Sequence, residues 1–144
     1  MQGDKPKILI VEDDEVIQKA YRRDLGNAVE IIYASEVSQA RELFLQHAAD
    51  IKLIVMDACV PGHRITTLPL VHEIREQFQF KGPMIGASSM HCEELVDAGC
   101  DYYEERKYDV PETVLRLLAE MSAPLANRPE GARAAPPPEG KALG

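Results

Sequence analysis

Leu53-Ile54-Val55-Met56-Asp57 is a short apolar run closed by a carboxylate, and Ile8-Leu9-Ile10-Val11-Glu12-Asp13-Asp14 shows the same pattern earlier in the chain. A run that is apolar at every position suits a parallel strand buried on both faces. Each run therefore delivers carboxylates to the C-terminal tip of a strand, the edge of an open α/β sheet where ligands bind. Carboxylates converging there repel one another, so the site calls for a cation, and oxygen-only donors suit Mg²⁺. A metal-loaded carboxylate cluster is in turn a natural place to handle phosphate.

Around these two runs the chain alternates strand and helix. Lys7 to Glu12 reads as the first strand. Asp14 suits the cap of a helix that carries Val16, Ile17, Ala20, Tyr21 and Leu25 at helical spacing and stops at Gly26. Ala28 to Ala34 reads as a strand. Ser35 then caps a helix over Glu36 to His47, with Val37, Ala40, Leu43 and Phe44 on one face. Leu53 to Asp57 is the third strand, and Pro61-Gly62 marks a turn after it. A helix from Thr67 to Phe78 has Pro69 in its first turn, where proline is tolerated. Pro83 to Ala87 is a fourth strand, ending at Ser88-Ser89. Only a short helix fits between Cys92 and Ala98 before Gly99, and Cys100 to Glu105 is the fifth strand. Asp109 and Glu112 have the spacing of a capping box that opens a last helix to Ser122. Five such units predict a doubly wound α/β fold, a five-stranded parallel sheet in the order 2-1-3-4-5 with helices on both faces. The tips of strands 1 and 3 then flank the switch point.

The chain has 144 residues, 45% of them hydrophobic, enough for one domain with a real core. Its net charge of −8 argues against a nucleic-acid surface, which needs a basic patch. No apolar run is long enough to span a membrane, and no signal peptide is visible. The three cysteines, Cys59, Cys92 and Cys100, have no metal or redox spacing and are expected to be free thiols in a cytoplasmic protein. His47, His63, His72 and His91 are scattered and receive no role. Neither GxGxxG nor a Walker-type GKS or GKT occurs, which disfavours a nucleotide-binding enzyme. From Pro124 to Gly144 the composition shifts to Pro, Ala and Gly. This segment reads as a disordered tail or the stub of a linker, leaving residues 1–123 as the folded domain. The chain as a fragment of a longer protein is compatible with that reading.

The ordered set of motifs resembles the receiver domain of response regulators in two-component phosphorelay signalling, over roughly residues 6–123. Ile8 to Asp14 looks like the family's first strand and acidic pair. Leu53 to Asp57, with Pro61-Gly62, looks like the phosphoacceptor strand and its loop. Pro83-Met84-Ile85-Gly86-Ala87-Ser88 is similar to the fourth strand with its hydroxyl residue, and Ala98-Gly99-Cys100-Asp101-Tyr102-Tyr103 to the entry of the fifth. The resemblance implies a flavodoxin-like receiver fold. It makes Asp57 the acceptor of a phosphoryl group from a histidine kinase or a histidine phosphotransfer protein. It also implies Mg²⁺ held by Asp13, Asp57 and the backbone carbonyl of Cys59, with Glu12 acting mainly through water. Ser88 would hydrogen-bond the new phosphoryl oxygen, and Ser88 with Tyr103 would form the switch. Output would pass to an unknown downstream protein by contact, with no enzyme activity beyond self-phosphotransfer and slow autodephosphorylation.

The chain departs from the family pattern in three places. The family's lysine, normally followed by proline, falls in this register at Arg106, with Lys107 in the proline's place; a one-residue bulge would instead put Lys107 in the site. A guanidinium and an ammonium are not interchangeable there. The stretch from Ser88 to Gly99 is short, so a truncated fourth helix is expected, and with it an unusual output face. Cys59 and Met90 stand where the family's side chains place attacking water, and neither offers a carboxylate or amide, which predicts slow loss of the phosphoryl group. Two other classes fit parts of the sequence. One is a pseudo-receiver that keeps the fold as a protein-interaction module without phosphotransfer. The other is a haloacid-dehalogenase-like phosphatase, disfavoured because Cys59 supplies no acid or base two residues after Asp57.

Overall fold

The computed structural model describes residues 5–123; the tail read from the sequence lies outside them. Elements follow in the order β1 (Lys7–Val11), α1 (Glu15–Leu25), β2 (Glu30–Ala34), α2 (Val37–His47), β3 (Ile51–Asp57), α3 (Leu68–Glu76), β4 (Met84–Ala87), α4 (Cys92–Ala98), β5 (Tyr102–Glu104) and α5 (Val110–Ser122). A 3₁₀ turn over Lys107–Asp109 leads into α5. All strands are parallel and the sheet order is β2-β1-β3-β4-β5. This is the doubly wound α/β sheet that the sequence predicts, in the flavodoxin-like order.

Alternation along the central strands builds two cores. Ile8, Ile10, Leu53, Val55 and Ile85 face α1 and α5 and meet Ile17, Tyr21, Leu25, Val110, Val114 and Leu117. Leu9, Val11, Ile54, Met56 and Met84 face the other way and meet Ala40, Phe44, Leu70, Val71, Ile74 and Leu95. Each fully buried aliphatic side chain contributes about 1.5–3 kcal/mol, so β1 and β3, buried on both faces, anchor the molecule. Residues at their C-terminal ends belong to both cores.

α4 is seven residues long, as its short sequence segment predicts. Gly99 ends it at φ +144°, a conformation open mainly to glycine, and its N–H donates to the carbonyls of Leu95 and Val96. Arg75 of α3 ties this corner together. Its guanidinium donates to the carbonyls of Gly99 (2.9 Å), Phe80 (2.8 Å) and Gly82 (2.8 Å) and pairs with Asp101 at 2.6 Å.

Three local expectations change. Asp109 does not open a capping box: it has helical backbone and makes no side-chain cap, because the 3₁₀ turn runs directly into α5. Ser35 lies two residues before the start of α2, and instead of capping it donates its backbone N–H to Gln39 Oε1 at 2.9 Å. Val16, grouped with the buried face of α1, is 65% exposed, because its first-turn position leaves it at the rim of the strand-tip edge.

Candidate functional site

Glu12 and Asp13 follow the tip of β1, and Asp57 ends β3, so parallel pairing of these strands brings the three carboxylates together. One oxygen from each lies within 4.8 Å of the others. Glu12 is almost fully buried; its Oε2 accepts the Asp14 N–H at 3.0 Å. Asp13 is half-buried and its Oδ2 accepts the Gly62 N–H at 3.0 Å, which links the β1 tip to the loop after β3. Asp57 is 6% exposed, and its Oδ1 accepts the Cys59 N–H at 3.3 Å. Asp14 is held elsewhere, its Oδ1 capping α1 through the N–H groups of Val16 and Ile17.

Of the two basic candidates, the structure brings Lys107 to the carboxylates. Its Nζ lies 2.8 Å from Glu12 Oε1 and 2.9 Å from Asp57 Oδ2. Arg106 points away, its side chain 81% exposed and 3.9 Å from Asp109. The backbone is extended at Arg106, whose side chain stays outside, and the 3₁₀ turn begins at Lys107, whose side chain reaches in.

Burial raises the Asp57 and Glu12 carboxyls above their ordinary range, and the Lys107 ammonium pulls both partway back. For Lys107 itself desolvation is the largest single influence and lowers its pKa. Its hydrogen bonds to the two carboxylates outweigh that, and it ends above its usual value. One ammonium against three carboxylates leaves the cluster short of positive charge, which is the electrostatic condition for a divalent cation. The donor set, oxygen throughout and partly rigid, fits Mg²⁺.

Ser88 follows β4 at the cleft over this cluster and is buried. Its Oγ accepts the N–H groups of Met90 (3.3 Å) and His91 (3.1 Å), so the hydroxyl hydrogen remains available to a ligand. Tyr103, next along the tips, is 1% exposed and tucked inside the fold. The cleft over the cluster is about 500 Å³ and is also lined by Cys59, Met90, His63 and His91. Burial pushes the Cys59 thiol above its ordinary pKa, so it is no ready nucleophile. None of the three cysteines is in a disulfide.

Two residues at this site escaped the sequence. Thr66 and Thr67 hydrogen-bond the loop that follows Asp57. Their only sequence signal is two hydroxyls before Pro69, which reads as an ordinary helix start.

No family model and no curated protein matches the sequence. Solved structures do match. A chain of the CheX-CheY-BeF3-Mg²⁺ complex from Borrelia burgdorferi superposes with a TM-score of 0.69 at 17% identity, over 85% of this chain and 92% of that one. A two-component response regulator from Clostridium difficile gives 0.67 at 16% identity, over 83% and 100%. The receiver domain of the Francisella response regulator 1452 gives 0.62 at 21%, over 80% and 95%. The chain therefore has the receiver fold of response regulators.

Proposed function

We propose that the chain is a phosphoacceptor of two-component signalling, taking a phosphoryl group on Asp57 from a phosphohistidine of a histidine kinase or phosphotransfer protein. The observation that carries this reading is the Asp57 carboxylate, buried at a strand tip, with the Lys107 ammonium 2.9 Å from Oδ2 and two further carboxylates beside it. An Asp57 oxygen attacks phosphorus, the phosphorus–nitrogen bond breaks, and the donor imidazole leaves with a proton. Glu12, Asp13, Asp57 and the Cys59 carbonyl would hold Mg²⁺, which neutralises charge on the phosphoryl group. Lys107 orients Asp57 before transfer and is in reach of a phosphoryl oxygen afterwards. Ser88 supplies a hydroxyl hydrogen to another such oxygen. Movement of Ser88 toward the phosphoryl group frees space for Tyr103, and the two together relay the added charge to the α4 side of the sheet. Arg106 stays at the rim, outside the reacting groups.

The Mg²⁺-bearing Borrelia burgdorferi complex supports Mg²⁺ here by likeness of fold. The reading is tested by intact-mass analysis after incubation with acetyl phosphate and Mg²⁺. A gain of one phosphoryl group, lost with chelator and in Asp57→Asn, is the expected result. No gain, with no metal affinity, would favour the interaction module that keeps the fold without phosphotransfer.

A further inference from the structure

Thr67 is fully buried ten residues after Asp57, at the start of α3, yet its side chain does not cap that helix. Its Oγ1 instead donates to the backbone carbonyls of Asp57 (2.8 Å) and Ala58 (3.1 Å). The Ala58 carbonyl also accepts the N–H groups of Thr66 (2.9 Å) and Thr67 (3.3 Å). Thr66 Oγ1 donates to the Val60 carbonyl at 2.7 Å and accepts the Val60 N–H at 3.0 Å. Adjacent hydroxyls thus pin the backbone on both sides of Cys59. Upstream, Asp57 is fixed by its pairing with Ala87 of β4. Cys59, between the pins, donates its N–H to Asp57 Oδ1 and lines the cleft.

We propose that Thr67 is a positioning residue: its hydroxyl fixes the peptide planes that aim the Asp57 carboxylate and the Cys59 carbonyl into the cleft. The proposal rests on the phosphoacceptor reading for its consequence, though not for its geometry. The Asp57 and Ala58 residues are buried, and one hydroxyl bonded to both of their carbonyls ties the orientations of the two peptides together. A group that acts one bond removed from a metal ligand sets how well that ligand points.

The test compares Thr67→Val, which keeps shape and loses the hydroxyl, with Thr67→Ser, which keeps the hydroxyl. Thr67→Ala is the second probe should the valine variant not fold, since it leaves room for water on the two carbonyls. Two readouts are taken on the full chain: Mg²⁺ affinity, and hydrogen exchange of the Cys59 amide by NMR without metal. Thr67→Val is expected to weaken Mg²⁺ binding about tenfold and to speed Cys59 exchange, with Thr67→Ser within about twofold of the parent on both. Parent-like affinity and exchange in the valine and alanine variants, even with a lower melting temperature, would overturn the proposal and leave Thr67 a stability residue. A parent chain that binds no Mg²⁺ and takes up no phosphoryl group would overturn the phosphoacceptor reading; Cys59 exchange would still decide Thr67.

Discussion

Asp57 is an acidic side chain that the fold buries at a cost. Burial holds its carboxyl above the ordinary range, so between its unfolded and folded pKa values the folded chain binds more protons than the unfolded one. That contribution favours folding below the unfolded value and is lost as pH rises through the folded one. Asp57→Asn removes the loss while Lys107 keeps Glu12 at 2.8 Å. In metal-free thermal melts the variant is expected to be more stable than the parent at neutral pH, with the gap closing toward about pH 4, the ordinary carboxylate range. Mg²⁺ should offset the same repulsion: at about a hundred times its dissociation constant it adds about 2.7 kcal/mol to stability. Asp13→Asn is expected to abolish that gain, and an equal gain in the variant would remove Asp13 from the metal site. At the mouth, Cys59 and Met90 offer attacking water no strong acceptor, and Met90 is 79% exposed. Cys59→Asn combined with Met90→Glu is expected to shorten the phosphoryl lifetime by about a hundredfold, the low end for a positioned acid–base group. Unchanged decay would show that these positions do not control water.

Among the elements, β1 and β3 could be read directly, because a strand buried on both faces is apolar at every position and its polar end marks the tip. The short α4 was equally legible, since too few residues separate Ser88 from Gly99 for a longer helix. Other features depend on distances that a sequence does not carry. Whether Arg106 or Lys107 enters the cleft turns on a single residue of loop between β5 and α5, and is settled by where the 3₁₀ turn joins α5. The Asp109 capping box failed for the same reason. The hydroxyls of Thr66 and Thr67 serve a backbone six to ten residues upstream, a contact without local signature. At the opposite edge, Gly99→Ala places a Cβ 2.8 Å from Arg75 Cγ at φ +144°. It should cost about 1–3 kcal/mol, read as a lower denaturation midpoint. Phosphoryl uptake should survive, because this corner lies at the far end of the strands from Asp57. Loss of uptake in a folded Gly99→Ala chain would mean that α4 communicates with the site more directly than its packing suggests.

In the whole molecule, the two cores hold the sheet as a platform and all the chemistry stands on its C-terminal edge. Four β–α connections contribute: Glu12 and Asp13 after β1, Asp57 and Cys59 with β3, Ser88 after β4, and Lys107 after β5. Sequence order scatters these residues over most of the described chain, and the 2-1-3-4-5 strand order gathers them. Fold and carboxylate cluster were therefore legible together, since both follow from the same strand tips. Asp57 is the proposed acceptor on this edge. The direct measurement is reduction of the phosphorylated chain with borohydride followed by peptide sequencing, which converts an aspartyl phosphate to homoserine. Homoserine at position 57 alone is the predicted result. Homoserine at another aspartate, or phosphate retained on Ser88 or a histidine with Asp57 unmodified, would place the acceptor elsewhere.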